Sequence, residues 1–229
     1  MSPERALGIS LEGLYEHPVL GWVDPDAAAA FERLQRRARA AGWGLSVASG
    51  YRSFDRQLAI FNAKALGSRP VLDDDGSALK RSRFSQSDWL HAILRFSALP
   101  GTSRHHWGTD FDIWDPSAVQ SQYKLLLEAN EYKEGGVFSG VSCWLDELMA
   151  RDDAEGFFRP YAQDSGGVAP EPWHISYRPS ANKLRPLVTA ERLRHVWSMG
   201  SSDDGPEALC FREQIMLEVE PLLTRYVAP

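Results

Sequence analysis

Two short segments, SRHHWGTDFD at 103–112 and EPWH at 171–174, constrain this chain more than any other feature. They offer His105, Asp112 and His174 as two imidazoles and one carboxylate, with Glu171 left over. Two nitrogens and one oxygen, with a fourth position open to water, form the donor set of a catalytic zinc centre, whereas a structural zinc is closed by four protein ligands. A glutamate three residues before a ligand histidine suits a base that takes a proton from water.

Strand geometry tells how distant segments would converge. Side chains two apart on a strand share a face. A strand over Asp110–Trp114 sets Asp110 and Asp112 on one face and Phe111 and Ile113 on the other. Two adjacent buried carboxylates are costly unless a cation or donors accompany them, and a zinc ion on Asp112 supplies that cation. Gly108 lets the chain turn so that His105 reaches back to the same ion. A strand over Trp173–Tyr177 points His174 and Ser176 away from Trp173, Ile175 and Tyr177, toward the cleft. Glu171 has the wrong parity for a straight strand. Pro172 breaks the ladder at the strand start, so Glu171 can approach the water without binding the metal.

The remaining pattern frames these strands. Asp24-Pro25 caps a helix that ends near Gly42, and residues 45–48 form a strand. SGYRS at 49–53 turns sharply, and Ser53 caps a helix to about Leu66 with Gly67 as its stop. Arg52, held in that turn, is either an oxyanion-stabilising cation or a brace for neighbouring carbonyls. Residues 68–84 read as a long surface loop, a type that is often functional. Helices are expected over 85–99, 123–132 and 143–149, and two more amphipathic helices within 186–229. In the last of these, Leu209, Arg212, Met216, Val219, Leu222, Leu223 and Tyr226 follow a 3.6-residue period. The expected class is α+β: a small antiparallel sheet flooring a zinc cleft, helices packed around it, and extra C-terminal helices. One domain over 1–229 accommodates this length.

Composition excludes several functions. A net charge of −6 and a pI near 5.5 argue against binding nucleic acid. No apolar run approaches the roughly 18 residues that span a bilayer. The first residues, MSPERALGISLEGLYEH, lack a continuous apolar stretch. The expected compartment is therefore the cytoplasm, or the periplasm if a leader has been removed. Cys143 and Cys210 form no CxxC motif and are expected to be buried thiols. His17, His91 and His195 lack ligand-type neighbours and are expected to be surface or packing residues. Serine-hydrolase and phosphate-loop motifs are missing.

SGYRSFDRQ at 49–57, SRHHWGTDFD and EPWH resemble the three signature segments of the VanY-type D-alanyl-D-alanine carboxypeptidases. That family shares a superfamily with lysostaphin-type peptidases and the hedgehog signalling domain. Ser103, His105, Gly108 and Asp112 fill the fixed places of its SxHxxGxAxD segment. The resemblance covers about 25–180 and leaves 186–229 as an extension. It implies one zinc ion on His105, Asp112 and His174, with Glu171 as catalytic base and Arg52 as transition-state cation. Gln57 occupies the glutamine place of the first segment. Arg52, Gln57, Ser103 and Asp110 are the expected substrate contacts. Asp110 replaces the usual small alanine, and either orients a ligand histidine or receives a substrate amine. The spacing to Asp112 favours His105 over His106 as ligand, leaving His106 in the cleft wall or behind the ligands.

The implied activity is removal of a C-terminal D-Ala from peptidoglycan stem peptides or muropeptides. A cytoplasmic D,D-carboxypeptidase would consume the pentapeptide precursor, so an L,D-carboxypeptidase acting on recycled tetrapeptides is the favoured expectation. The alternatives are a D,D-carboxypeptidase, an endolysin-like endopeptidase and a non-catalytic zinc-binding module.

Overall fold

A computed structural model describes residues 1–199 and 208–227. Its helices are α1 (Pro3–Ala6), α2 (Pro25–Ala40), α3 (Phe54–Ala65), α4 (Gln86–Leu94), α5 (Ala129–Tyr132), α6 (Ser139–Ala150), α7 (Arg178–Leu184), α8 (Ala190–Met199), α9 (Arg212–Leu217) and α10 (Val219–Tyr226). The parts of the expected 186–229 extension at 200–207 and 228–229 lie outside the described residues. A two-stranded ribbon pairs β1 (Tyr15–His17) with β2 (Gly21–Val23). The main sheet is antiparallel in the order β3 (Ser46–Ser49), β4 (Asp110–Trp114), β6 (His174–Tyr177), β5 (Phe157–Phe158). The architecture is α+β, as the sequence pattern indicates, and no described helix is long and apolar enough to cross a membrane.

The sheet is two-faced because its strands alternate. Phe111, Ile113 and Ile175 join Phe31, Leu34 and Ala38 of α2 and Val141, Leu145 and Leu148 of α6 in one apolar core. Full burial of a Phe, Leu or Ile side chain is worth roughly 1.5–3 kcal/mol, so this face carries the adhesion. Asp110, Asp112, His174 and Ser176 occupy the opposite parity. Register then places Asp112 directly across from His174 and Asp110 across from Ser176.

Helix α2 is held at its start by Asp24. Its Oδ1 accepts from the Ala27 N–H (3.1 Å) and the Ser180 hydroxyl (3.0 Å), while Oδ2 pairs with the buried Arg5 at 2.7 Å. A second apolar core gathers α3, α4 and the C-terminal helices around Phe61, Trp89, Leu90, Leu193, Ile215, Val219 and Leu222. Asn62 of α3 stitches this core to the C-terminal segment, donating to the Ala208 carbonyl and accepting from the Cys210 N–H, both at 2.9 Å.

Several local expectations need correction. The helix expected over 123–132 is confined to α5. The Glu131 carboxylate collects the Tyr123 hydroxyl and the Leu126 and Glu128 N–H groups, and Leu127 has a positive φ. The helix expected over 85–99 ends at Leu94. Pro100 disfavours helix at the residue before it, and Gln57 claims the Ala98 carbonyl at 2.6 Å. The last helix splits at Glu218 into α9 and α10. Pro221 lacks an N–H and would clash with the carbonyl four residues back, and Ile215, rather than Arg212 or Met216, is the buried residue of α9. Cys143 is exposed and Cys210 half-buried rather than buried.

Candidate zinc and substrate site

His105, Asp112 and His174, all buried, each turn one ligand atom toward a common point, with these atoms within 4.8 Å of one another. His105 comes from a short 3-10 turn over Arg104–Trp107 that ends at Gly108 in the left-handed region (φ 68°). A side chain at Gly108 would run into Leu14, so glycine serves both the turn and the close approach.

The ring nitrogens are assigned by their partners. His105 Nδ1 lies 2.8 Å from the Gly50 carbonyl, which can only accept. That nitrogen therefore donates, and Nε2, 3.4 Å from Asp112 Oδ2, is left with a lone pair. His174 Nε2 donates to Asp110 Oδ1 at 2.9 Å, leaving Nδ1 3.3 Å from Asp112 Oδ1 and 3.4 Å from Glu171 Oε2. Asp112 Oδ1 is buried without a hydrogen-bond partner. A carboxylate set against two imidazole lone pairs, one at each oxygen, and with its Oδ1 orphaned, fits a zinc ion. Burial works against the charge of Asp112, but His105 and His174 overcome it and hold the carboxyl well below its ordinary range.

Asp110 is wholly buried and does not line the cleft, which removes it from the expected substrate contacts. Its Oδ1 accepts from Arg104 Nε (2.8 Å) and His174 Nε2, and its Oδ2 from the Thr109 hydroxyl (2.6 Å). Burial raises its pKa, but Arg104, His174 and Thr109 together pull it down to about 2. Arg104 is held in turn by the Ser176 hydroxyl at 2.6 Å and lies over the Trp107 ring. Asp110 therefore fixes the His174 ring and balances its own charge on Arg104, as a carboxylate behind a metal-binding histidine would.

Glu171 sits in a turn closed by the His174 N–H on its carbonyl (3.0 Å), while its own N–H donates to the Tyr161 carbonyl. Its carboxylate faces the same cleft as the three ligands. Arg52 lines the same cleft, near enough to Asp112 and Glu171 to feel their charges. Its N–H donates to the His105 carbonyl (3.1 Å), its carbonyl accepts from His106 Nδ1 (2.6 Å), and its Nη1 donates to Gln57 Oε1 (2.8 Å). Burial lowers the Arg52 pKa and the carboxylates of Asp112 and Glu171 counter it. Gln57 is fully buried, so it holds Arg52 and the Ala98 carbonyl rather than a substrate. Ser103 lines the cleft. His106 lies behind Arg52; its Nε2 accepts from the Gly101 N–H, and burial drives its pKa down to about 3.

The cleft has a volume of about 610 Å³. The 68–84 loop forms one wall, folded on itself by a Leu72–Ala78 bridge. Arg95 staples it, pairing with Asp74 (2.8 Å) on one side and Asp164 (2.5 Å) on the other. Sequence reasoning missed Lys64 and Arg69, which also line the cleft, and Tyr161, whose ring meets His174 edge-on. Lys64 stands seven residues after Gln57, two turns along the same helix face, and that spacing was the one signal that could have found it.

A family model described as "VanY: D-alanyl-D-alanine carboxypeptidase" matches residues 21–180. An uncharacterized protein of Haemophilus influenzae is 37% identical over 123 residues, covering 52% of this chain and 91% of the relative. Two solved structures are each 25% identical to this chain. VanYB in complex with D-Alanine-D-Alanine aligns with a TM-score of 0.51 over 80% of this chain and 87% of its own. A mutant of the vancomycin resistance D,D-pentapeptidase VanY, in complex with Zn(II), aligns with a TM-score of 0.50 over 77% and 89%.

Proposed function

The chain belongs to the VanY D-alanyl-D-alanine carboxypeptidase family, and on that premise we propose that it is a zinc carboxypeptidase removing a C-terminal D-Ala from peptidoglycan stem peptides. One observation carries the reading: the His105, Asp112 and His174 ligand atoms converge, with the Glu171 carboxylate 3.4 Å from a ligand nitrogen and Arg52 lining the same cleft. Zinc held by those three residues would supply a Lewis acid and lower the pKa of a water to roughly 7. Glu171 takes a proton from the attacking water as its oxygen bonds to the scissile carbonyl carbon. Arg52 faces the negative charge that develops on the carbonyl oxygen, a role whose loss costs about 100- to 1000-fold in rate. As the C–N bond breaks, Glu171 returns its proton to the departing amine. Gln57 and His106 hold Arg52 by its side chain and carbonyl, so the cation meets the charge without reorganising.

Glu171 and Arg52 distinguish this reading from a non-catalytic zinc module, which needs neither for folding. The stapled 68–84 loop, walling one side of the cleft, supports cleavage at a peptide end over cleavage inside a strand. Within the carboxypeptidase reading, the tetrapeptide is the expected substrate and the D-Ala-D-Ala-terminated pentapeptide its competitor. D-Ala release by the zinc-loaded enzyme from both peptides, side by side, tests this choice. Release from the pentapeptide alone would refute the L,D assignment. Glu171→Ala should abolish release while zinc stays bound, and unchanged activity in that variant would refute the mechanism.

A further inference from the structure

The cations around the cleft are not equally occupied. Arg104 is engaged by Asp110 and Ser176, and Arg95 by Asp74, Asp164 and the Gly167 carbonyl. Arg52 has a side-chain partner in Gln57. The side chains of Lys64 and Arg69 have no hydrogen-bond or ion-pair partner among the described residues, although both line the cleft.

Their placement follows from α3. Lys64 lies in its last turn, about 10 Å along the axis from Gln57 and on the same face. Gly67 then takes a positive φ (77°), and the Arg69 N–H closes onto the Ala63 carbonyl at 3.0 Å. This reversal brings Arg69 back beside Lys64. Arg52, Lys64 and Arg69 line the same cleft close enough to act on one another, and Glu171 acts on both Arg52 and Lys64. A half-buried ammonium beside two guanidiniums, with no anion paired to it at ion-pair distance among the described residues, is costly. Burial first, and Arg69 second, pull the Lys64 pKa down to about 8, with Glu171 countering only in part. An anion arriving in the cleft would relieve all of these costs.

We propose that Lys64, supported by Arg69, binds a carboxylate of the peptide substrate and thereby selects which peptides enter; this rests on the peptidase reading above. The substrate offers that chemistry in two places, the terminal α-carboxylate next to the scissile bond and an acidic side chain upstream of it. Lysine suits either, because its ammonium is a point charge with three rotatable donors.

Binding is measured by titration calorimetry with zinc-loaded Glu171→Ala, so that turnover does not intrude. The probes are the D-Ala-terminated tetrapeptide and two derivatives, one amidated at the terminal carboxyl and one at the acidic side chain. Adding Lys64→Gln should weaken the parent peptide about 10- to 100-fold, the range for losing a hydrogen bond to a charged group. Lys64→Arg should restore most of it. The derivative on which Lys64→Gln has no effect identifies the carboxylate. Equal weakening of all three peptides, or of none, overturns the proposal. If Lys64→Gln loses zinc or melts early, Arg69→Gln at the exposed mouth carries the same comparison, and the same results support or overturn the proposal. Failure of the peptidase reading would show separately, as no D-Ala released from either peptide by the wild-type enzyme.

Discussion

Replacing Asp110 by Asn keeps the volume of the side chain and removes its charge, which separates the two duties of that carboxylate. The first is to hold Arg104, whose side chain is 6% exposed and which meets Asp110 Oδ1 at 2.8 Å. Breaking a buried ion pair from one side costs about 3–5 kcal/mol, because the stranded charge is not resolvated. Unfolding entropy near 2.1 cal/mol/K per residue gives roughly 0.5 kcal/mol/K for 229 residues, so the apoprotein should melt about 6–10 °C lower. The second duty is to hold His174 through its Nε2–H at 2.9 Å. Loss of such a partner weakens metal binding about 10- to 100-fold. Thermal unfolding of the apoprotein and zinc competition against a chromogenic chelator read the two effects independently. Removing Arg104 as well, in Asp110→Asn/Arg104→Gln, should recover stability but not zinc affinity. A folded Asp110→Asn protein that holds zinc as tightly as wild type would refute the assignment of Asp110 to the ligand histidine. Stability unrecovered in the double variant would refute the stranded-charge account.

Asp24→Ala removes the cap of α2 and strands the buried Arg5, so a loss of about 4–6 kcal/mol is expected in chemical denaturation of the apoprotein. Gly8→Ala should destabilise by more than about 1 kcal/mol in the same assay. Its φ is +77°, and a Cβ there would overlap the His106 ring that holds the Arg52 carbonyl. Peptide affinity should be flat below pH 8 and fall up to tenfold per pH unit above it, because free Lys64, at about 8, must then take up a proton when the carboxylate binds. Titration of zinc-loaded Glu171→Ala across roughly pH 7–10 checks this, and Lys64→Arg should remove the alkaline limb.

What was legible in the sequence is local and periodic. Alternation along 110–114 and 173–177 places the carboxylates and His174 on one face and Phe111, Ile113 and Ile175 on the other, because two-residue periodicity needs no knowledge of the rest of the fold. The caps at Asp24 and Ser53 were readable for the same reason. The partners of Asp110 were not. Arg104 reaches it only because a 3-10 turn curls back over β4, and Ser176 meets Arg104 only through the pairing of β4 with β6. Lys64 carried no local signal of its own; it became a cleft residue only once α3, the 68–84 loop and Glu171 were brought around the same cavity. The apolar run at 125–127 looked helical until the Glu131 carboxylate was seen to take the N–H groups of Leu126 and Glu128.

The two apolar cores stand behind different parts of the cleft. Asp112 and His174 belong to strands anchored in the core of α2 and α6, while Lys64 rides on α3, whose back is packed by the C-terminal helices, with Arg52 just before that helix and Arg69 just after it. The family match ends at residue 180; beyond it, Ala181 and Leu184 pack against Trp107 of the turn that carries His105, and the helices from α8 onward pack behind α3 and α4. A chain cut before Leu209 would lose the Asn62 clasp and Ile215, Val219 and Leu222 from behind α3. Such a chain should load zinc normally and lose its grip on peptides. On the proposed reading, repacking the tail would then change which peptides are bound while leaving the His105–Asp112–His174 cluster as it is.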